Sequence, residues 1–117
     1  MLAKSARLTE SADFARATKS GLRFSTSNFV GYLYPTNSDQ PARAGLIISK
    51  SVGGSVRRHR IARKARHALR DMYSQLPTGS LVVIRALNNA TDTHTSDEVT
   101  KVVGELLKKF SEKANQR

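Results

Sequence analysis

One stretch limits what this chain can fold into more than any other. It is the run Lys50-Ser51-Val52-Gly53-Gly54-Ser55-Val56-Arg57-Arg58-His59-Arg60-Ile61-Ala62-Arg63-Lys64-Ala65-Arg66-His67-Ala68-Leu69-Arg70. At the helical 100° per residue, Ile61, Ala65, Ala68, Leu69, Met72 and Leu76 fall within about a third of a turn and form one apolar stripe. His59, Arg60, Arg63, Lys64, Arg66, His67 and Arg70 take the opposite side. From Gln40 to Arg70 there is no Asp or Glu, while nine of the 20 Lys and Arg fall there, seven of them between Arg57 and Arg70. Solvated faces ordinarily mix both signs, so a face of one sign points to a polyanion. The spacing predicts a helix docked through one side and cationic on the other. Ser55 is the predicted N-cap after Gly53-Gly54, and Arg57 and Arg58 then sit in the first turn, against the helix dipole. A phosphate bound at that end would offset both.

A chain of 117 residues fits one domain and buries a core without staples. We expect a single domain over residues 1–117, with a loose basic arm at 1–7 and a frayed tail at 111–117. The net charge of +11 favours nucleic acid or an anionic membrane as partner. No apolar run approaches the roughly 18 to 20 residues of a membrane span, and the N-terminus lacks the apolar core of a secretory signal. The basic helix also has small alanines where a membrane-surface helix would carry a broad bulky face. A cytoplasmic protein without a membrane partner is the expectation. Cysteine is absent, which excludes disulfides and thiolate metal sites.

Leu8 to Ser20 reads as a helix, capped by Thr9 or Ser11, with Leu8, Ala12 and Ala15 on its buried side and Phe14 toward an edge. Asn28 to Tyr34 alternates as a strand, and Arg43 to Ser49 resumes as a second after a polar loop. The two suggest an antiparallel hairpin. Leu81 to Leu87 is a β-branched run suited to a central strand covered on both faces. Ser96 is a candidate cap for a last helix, with Val99, Val102, Val103, Leu106, Leu107 and Phe110 as its stripe. The order of elements gives a compact α+β domain, one small sheet covered by helices.

No catalytic constellation is legible. The nine acids are scattered, with no two-metal carboxylate cluster. His59 and His67 stand eight residues apart on one helix, roughly 12 Å, too far to serve one phosphate. Val52-Gly53-Gly54-Ser55 lacks the spacing of a triphosphate-binding loop. Binding chemistry remains: planar guanidinium groups bridge phosphate oxygens, and Phe14, Phe24, Tyr32 and Tyr34 are candidate stacking surfaces for unpaired nucleotides.

Lys50, Val52-Gly53, Val56, Arg58, Arg60-Ile61, Arg63 and Arg66 resemble the signature of the bacterial ribonuclease P protein subunit, a glycine-bearing turn leading into a helix with an Arg-Asn-Arg core. Here that core is Arg58-His59-Arg60. Ser51 and Ala62 are further departures, both commonly basic in the family, and Thr18 stands where an aromatic is frequent. Asp13-Phe14, Gly21, Phe29, Tyr32, Arg43-x-Gly45-Leu46 and the strand at Leu81 extend the resemblance.

The resemblance implies an α/β sandwich whose basic helix lies in a left-handed βαβ crossover, where sequence alone would favour a right-handed one. It implies the protein subunit of the ribonucleoprotein that removes the 5′ leader from precursor tRNA, with the RNA subunit as catalyst and Mg²⁺ held mainly by RNA. No catalytic residue and no protein metal ligand is expected. Lys50, Gly53, Arg57, Arg58, His59, Arg60, Arg63, Lys64 and Arg66 are the expected contacts with the catalytic RNA. Phe14, Tyr32 and Lys64 are expected at the single-stranded leader. DNA is not an expected partner. Two other readings share the charge and size: a ribosomal-type RNA-binding protein, and an independent ribonuclease using His59, His67 or His94.

Overall fold

The computed structural model describes residues 6–115. Over these the chain runs α1 (Ser11–Ser20), β1 (Leu22–Ser25), β2 (Phe29–Tyr34), β3 (Arg43–Ile47), α2 (Ser55–Met72), β4 (Leu81–Ala86) and α3 (Thr95–Asn115), with single 3-10 turns at Lys50–Val52 and Tyr73–Gln75. The strands form one sheet in the order β1-β2-β4-β3. β2 is antiparallel to both β1 and β4, while β3 runs parallel to β4. α2 is therefore the crossover between two adjacent parallel strands. This is the α+β class that the sequence implies, a mixed sheet with helices on both sides.

The pleat sorts the core into two layers. Phe29, Leu33, Val82, Ile84 and Ala86 face α2 and α3. Val30, Tyr32, Leu81 and Val83 face α1. α2 buries Ile61, Ala62, Ala65, Ala68 and Leu69. Val99, Val102, Val103 and Leu106 of α3 are fully buried, and Leu107 and Phe110 pack beside them. Each such Val or Leu contributes about 1.5–3 kcal/mol relative to exposure. α3 lies so close on β2 that a Cβ at Gly31 would collide with Val102 and stand 2.9 Å from Leu106 Cδ1. Gly31→Ala is expected to destabilise the fold by about 1–3 kcal/mol, read as a lower denaturant midpoint at unchanged slope. An unchanged midpoint would show that α3 is not seated on β2.

The expected hairpin between residues 28–34 and 43–49 does not form. β2 pairs instead with β1, a strand the sequence did not reveal, and β3 pairs with β4. The doubly buried run of β4 takes the interior and accepts β2 on one edge and β3 on the other. α1 starts at Ser11, with Glu10 at the cap position and no side-chain cap, and buries Asp13 and Ala17. Ala12 and Ala15 are exposed. Leu8 lies before the helix and donates its N–H to Ala44 O at 2.9 Å. Ser55 is the first residue of α2, and Gly54 holds the cap position without a side-chain bond. α2 ends at Met72, so Leu76 reaches the core from beyond the following 3-10 turn. Ser96 lies inside α3, which begins one residue earlier.

Residues 111–115, expected as part of a tail, continue α3, and 116–117 lie outside the described residues. Of the expected arm at 1–7, residues 1–5 also lie outside them; Ala6 is buried and Arg7 bridges Ala44 of β3.

Candidate nucleic-acid interface

α2 is held against the sheet by its apolar stripe, and this packing sorts its cations onto three sides. His59, Arg60, Arg63, His67 and Arg70 are exposed on the outward side, together with Val56. One flank faces the loop after β4. There Arg57 Nη2 donates to Ala90 O at 2.8 Å, and Lys64 Nζ donates to Asp92 O at 2.9 Å with the Asp92 carboxylate 3.7 Å away. The other flank carries Arg58, Ala62 and Arg66 along the outer edge of β3, where they line a cavity of about 270 Å³ with Leu46 and Ile48. Arg58 Nε donates to Gly53 O at 3.1 Å.

Among the described residues no carboxylate pairs with Arg57, Arg58, Arg60, Arg63 or Arg66. Burying such charges without a counterion is costly, so they stay at the surface, open to an anionic partner.

The turn before α2 is built around Gly53, whose φ of +155° is open to glycine and rare for other residues. A Cβ there would also stand 2.7 Å from Arg57 Cδ. Lys50 is exposed on the preceding 3-10 turn. Ser51 Oγ donates to Asn88 Oδ1 at 2.7 Å, so the position that departs from the basic pattern ties this turn to the end of β4.

On the far side of the sheet Phe14 is half-buried over β3, where a Cβ at Gly45 would stand 2.5 Å from its ring. The ring lines a cavity of about 420 Å³ with Arg7, Leu8, Gly45, Leu46 and Arg66. Asp13, itself buried, fixes this geometry: its carboxylate pairs with Arg16 at 3.1 Å and with Arg43 of β3 at 3.2 Å, so it pins α1 to the sheet edge. Tyr32 joins the same apolar cluster as Phe14 but is only 8% exposed, so its ring is mainly floor.

The structure brings Phe14 and Tyr32 together and leaves Lys64 apart. Lys64 faces the loop after β4, and Arg66 is the α2 cation that reaches the Phe14 cavity. The physical reason is rotation about the helix: two residues place these side chains roughly 160° apart, and the sheet edge selects one flank. Thr18 turns its hydroxyl back to Phe14 O at 3.0 Å, so the helix itself satisfies it.

Arg85 was missed. It is the exposed position in β4, on the α1 side with Leu81 and Val83, opposite Val30 of β2. The signal was present as a lone charge inside a β-branched run. Among the described residues no group of three His, Asp or Glu gathers to hold a metal ion, and no helix is long and apolar enough to cross a membrane. The described residues thus gather no carboxylate cluster of the kind that holds Mg²⁺.

The model of the Ribonuclease P family matches residues 2–111. The ribonuclease P protein component of Streptomyces avermitilis is 42% identical over 100 residues, covering 79% of this chain and 81% of that protein. That of Mycobacterium bovis is 44% identical over 87 residues, 74% of each. The solved RNase P protein of Staphylococcus aureus superposes with a TM-score of 0.73 at 27% identity, covering 90% of this chain and 94% of the other. The Thermotoga maritima RNase P protein, at 23% identity, shares the fold with a TM-score of 0.69, covering 87% of this chain and 97% of the other. By sequence over nearly its whole length, and by a fold that carries a cationic helix between parallel strands, this chain belongs to the ribonuclease P protein family.

Proposed function

We propose that this chain is the protein component of a cytoplasmic bacterial ribonuclease P, acting with a catalytic RNA to remove the 5′ leader of precursor tRNA. The hydrolysis belongs to the RNA subunit, and so does the Mg²⁺, which RNA phosphates hold. The protein lowers the repulsion between two polyanions and grips the leader. The observation that carries this reading is the division of cations between two surfaces. The outward side of α2, with Lys50, Arg60 and Arg63, presents charge without apolar shelter and suits the backbone of a folded RNA. The Phe14 cavity, with Arg7 and Arg66 at its rim, offers a ring and guanidinium groups together and suits an unpaired nucleotide.

Tyr32 supports the Phe14 ring from the floor of the sheet, and Arg85 extends the same face away from α1. His59 stands between two arginines and adds a hydrogen-bonding ring to the outward surface. Arg57 and Lys64 serve first to hold the loop after β4, so their contribution to RNA binding is smaller than that of Arg60 and Arg63.

Replacing Arg60 by Ala tests the outward surface. The side chain is exposed and makes no contact that the fold needs, so stability should stay within about 0.5 kcal/mol. Affinity for the RNA subunit should fall about fivefold, and the salt slope should lose about 0.7–0.9. Unfolding of the variant would show that Arg60 is structural and remove it from the interface.

A further inference from the structure

Arg57 and Lys64 draw the loop after β4 against the flank of α2 that faces away from Phe14. Between helix and loop lies a cavity of about 740 Å³, walled by Val56, Arg57 and Arg60 on one side and by Thr91, Asp92 and Thr93 on the other. Its chemistry is mixed in a particular way. Val56 is 65% exposed, the large apolar side chain that the fold leaves in water among the described residues. Arg57 has one guanidinium nitrogen on Ala90 O and keeps further donors, and Arg60 has no carboxylate partner. Asp92 brings an acid to a helix whose own sequence has none from Ser55 to Arg70.

We infer that this cavity is a nucleotide pocket that takes one unstacked guanine nucleotide of an RNA. The phosphate sits on Arg57 and Arg60, the sugar or base face packs on Val56, and the base edge meets Asp92. A carboxylate only accepts hydrogen bonds. Guanine alone among the four bases offers two adjacent donors, N1–H and N2–H, on its pairing edge. Adenine and cytosine set one amino group beside an acceptor, which a carboxylate repels, and uracil sets one N–H between two acceptors. Reading an unstacked base by its pairing edge is the usual route to sequence preference in RNA recognition. The pocket rests on the RNA-binding reading for the source of its nucleotide, and a free mononucleotide tests it independently.

The experiment is a titration of the full chain at low salt with GMP, AMP, CMP and inorganic phosphate, following the backbone amide NMR signals of Val56 and Thr91 to Thr93. GMP is expected to shift both groups of signals with an affinity at least about fivefold above AMP or CMP, as for a bidentate base contact. Asp92→Asn should erase that preference and leave the response to phosphate. Val56→Ala, at an exposed position, should weaken all three nucleotides alike. Equal responses to the three nucleotides and to phosphate would overturn the pocket, as would silence of residues 91–93. If GMP fails while the RNA subunit still binds with a steep salt slope, the pocket is wrong and the reading of α2 stands.

Discussion

Raising monovalent salt from about 50 to about 200 mM should weaken binding of the RNA subunit by about 250- to 1000-fold. Six cations stand on or beside the outward side of α2, none of them tied to the loop after β4: Lys50, Arg58, Arg60, Arg63, Arg66 and Arg70, of which Arg58 bonds Gly53 O and Arg70 lies 4.0 Å from the Asp71 carboxylate. Each neutralised phosphate releases condensed counterions, so about six contacts give a slope of log affinity against log salt near −4 to −5. Fluorescence anisotropy of a labelled RNA subunit across that range measures the slope directly. A value near −1 would mean that the face is a solvated surface that RNA does not cover. Changing Arg60 and Arg63 together to Ala should flatten the slope by about 1.5 and cost about 25-fold in affinity, since each contact is worth about 1 kcal/mol at an exposed site.

Phe14→Ala should cost about 5- to 150-fold in affinity for a precursor with a single-stranded leader, the range for loss of one base-stacking platform. Binding of mature tRNA and of the RNA subunit should change little, because the ring lies across the sheet from the outward side of α2. The comparison between precursor and mature tRNA separates a leader contact from a loss of stability, which would affect both. Gly45→Ala gives an independent check. It keeps the ring but adds a Cβ 2.5 Å from it, so the ring must move and leader discrimination should fall without loss of the aromatic. Equal losses on precursor and mature tRNA would place Phe14 in the core alone.

α2, α3 and β4 were legible because their signals are dense and local. A stripe repeated over several turns, or a run of β-branched residues, leaves little choice of element. β1 was not legible: Leu22-Arg23-Phe24-Ser25 is too short for alternation to stand out, and its pairing with β2 supplies what propensity does not. The partner of β3 was misjudged because neighbours in sequence often pair, whereas the parallel partner lies beyond the whole of α2. The site followed the same division. That α2 is cationic could be read directly, but which flank meets Phe14 depends on tertiary docking, and it turned out to be that of Arg66. Arg57 and Lys64 look like their neighbours in the sequence, and only the position of Ala90 and Asp92 sets them apart.

Cleavage of a 5′-extended precursor tRNA at low Mg²⁺ tests the central claim most directly, with this protein alone, a bacterial ribonuclease P RNA alone, and the two combined. Strong cleavage at the mature 5′ end only with both is expected, with the chemistry on the RNA and the protein as its partner. No gain from adding the protein to a competent RNA would contradict that role and favour a ribosomal-type RNA-binding protein. Cleavage by the protein alone would move the chemistry onto this chain and return attention to His59, His67 and His94.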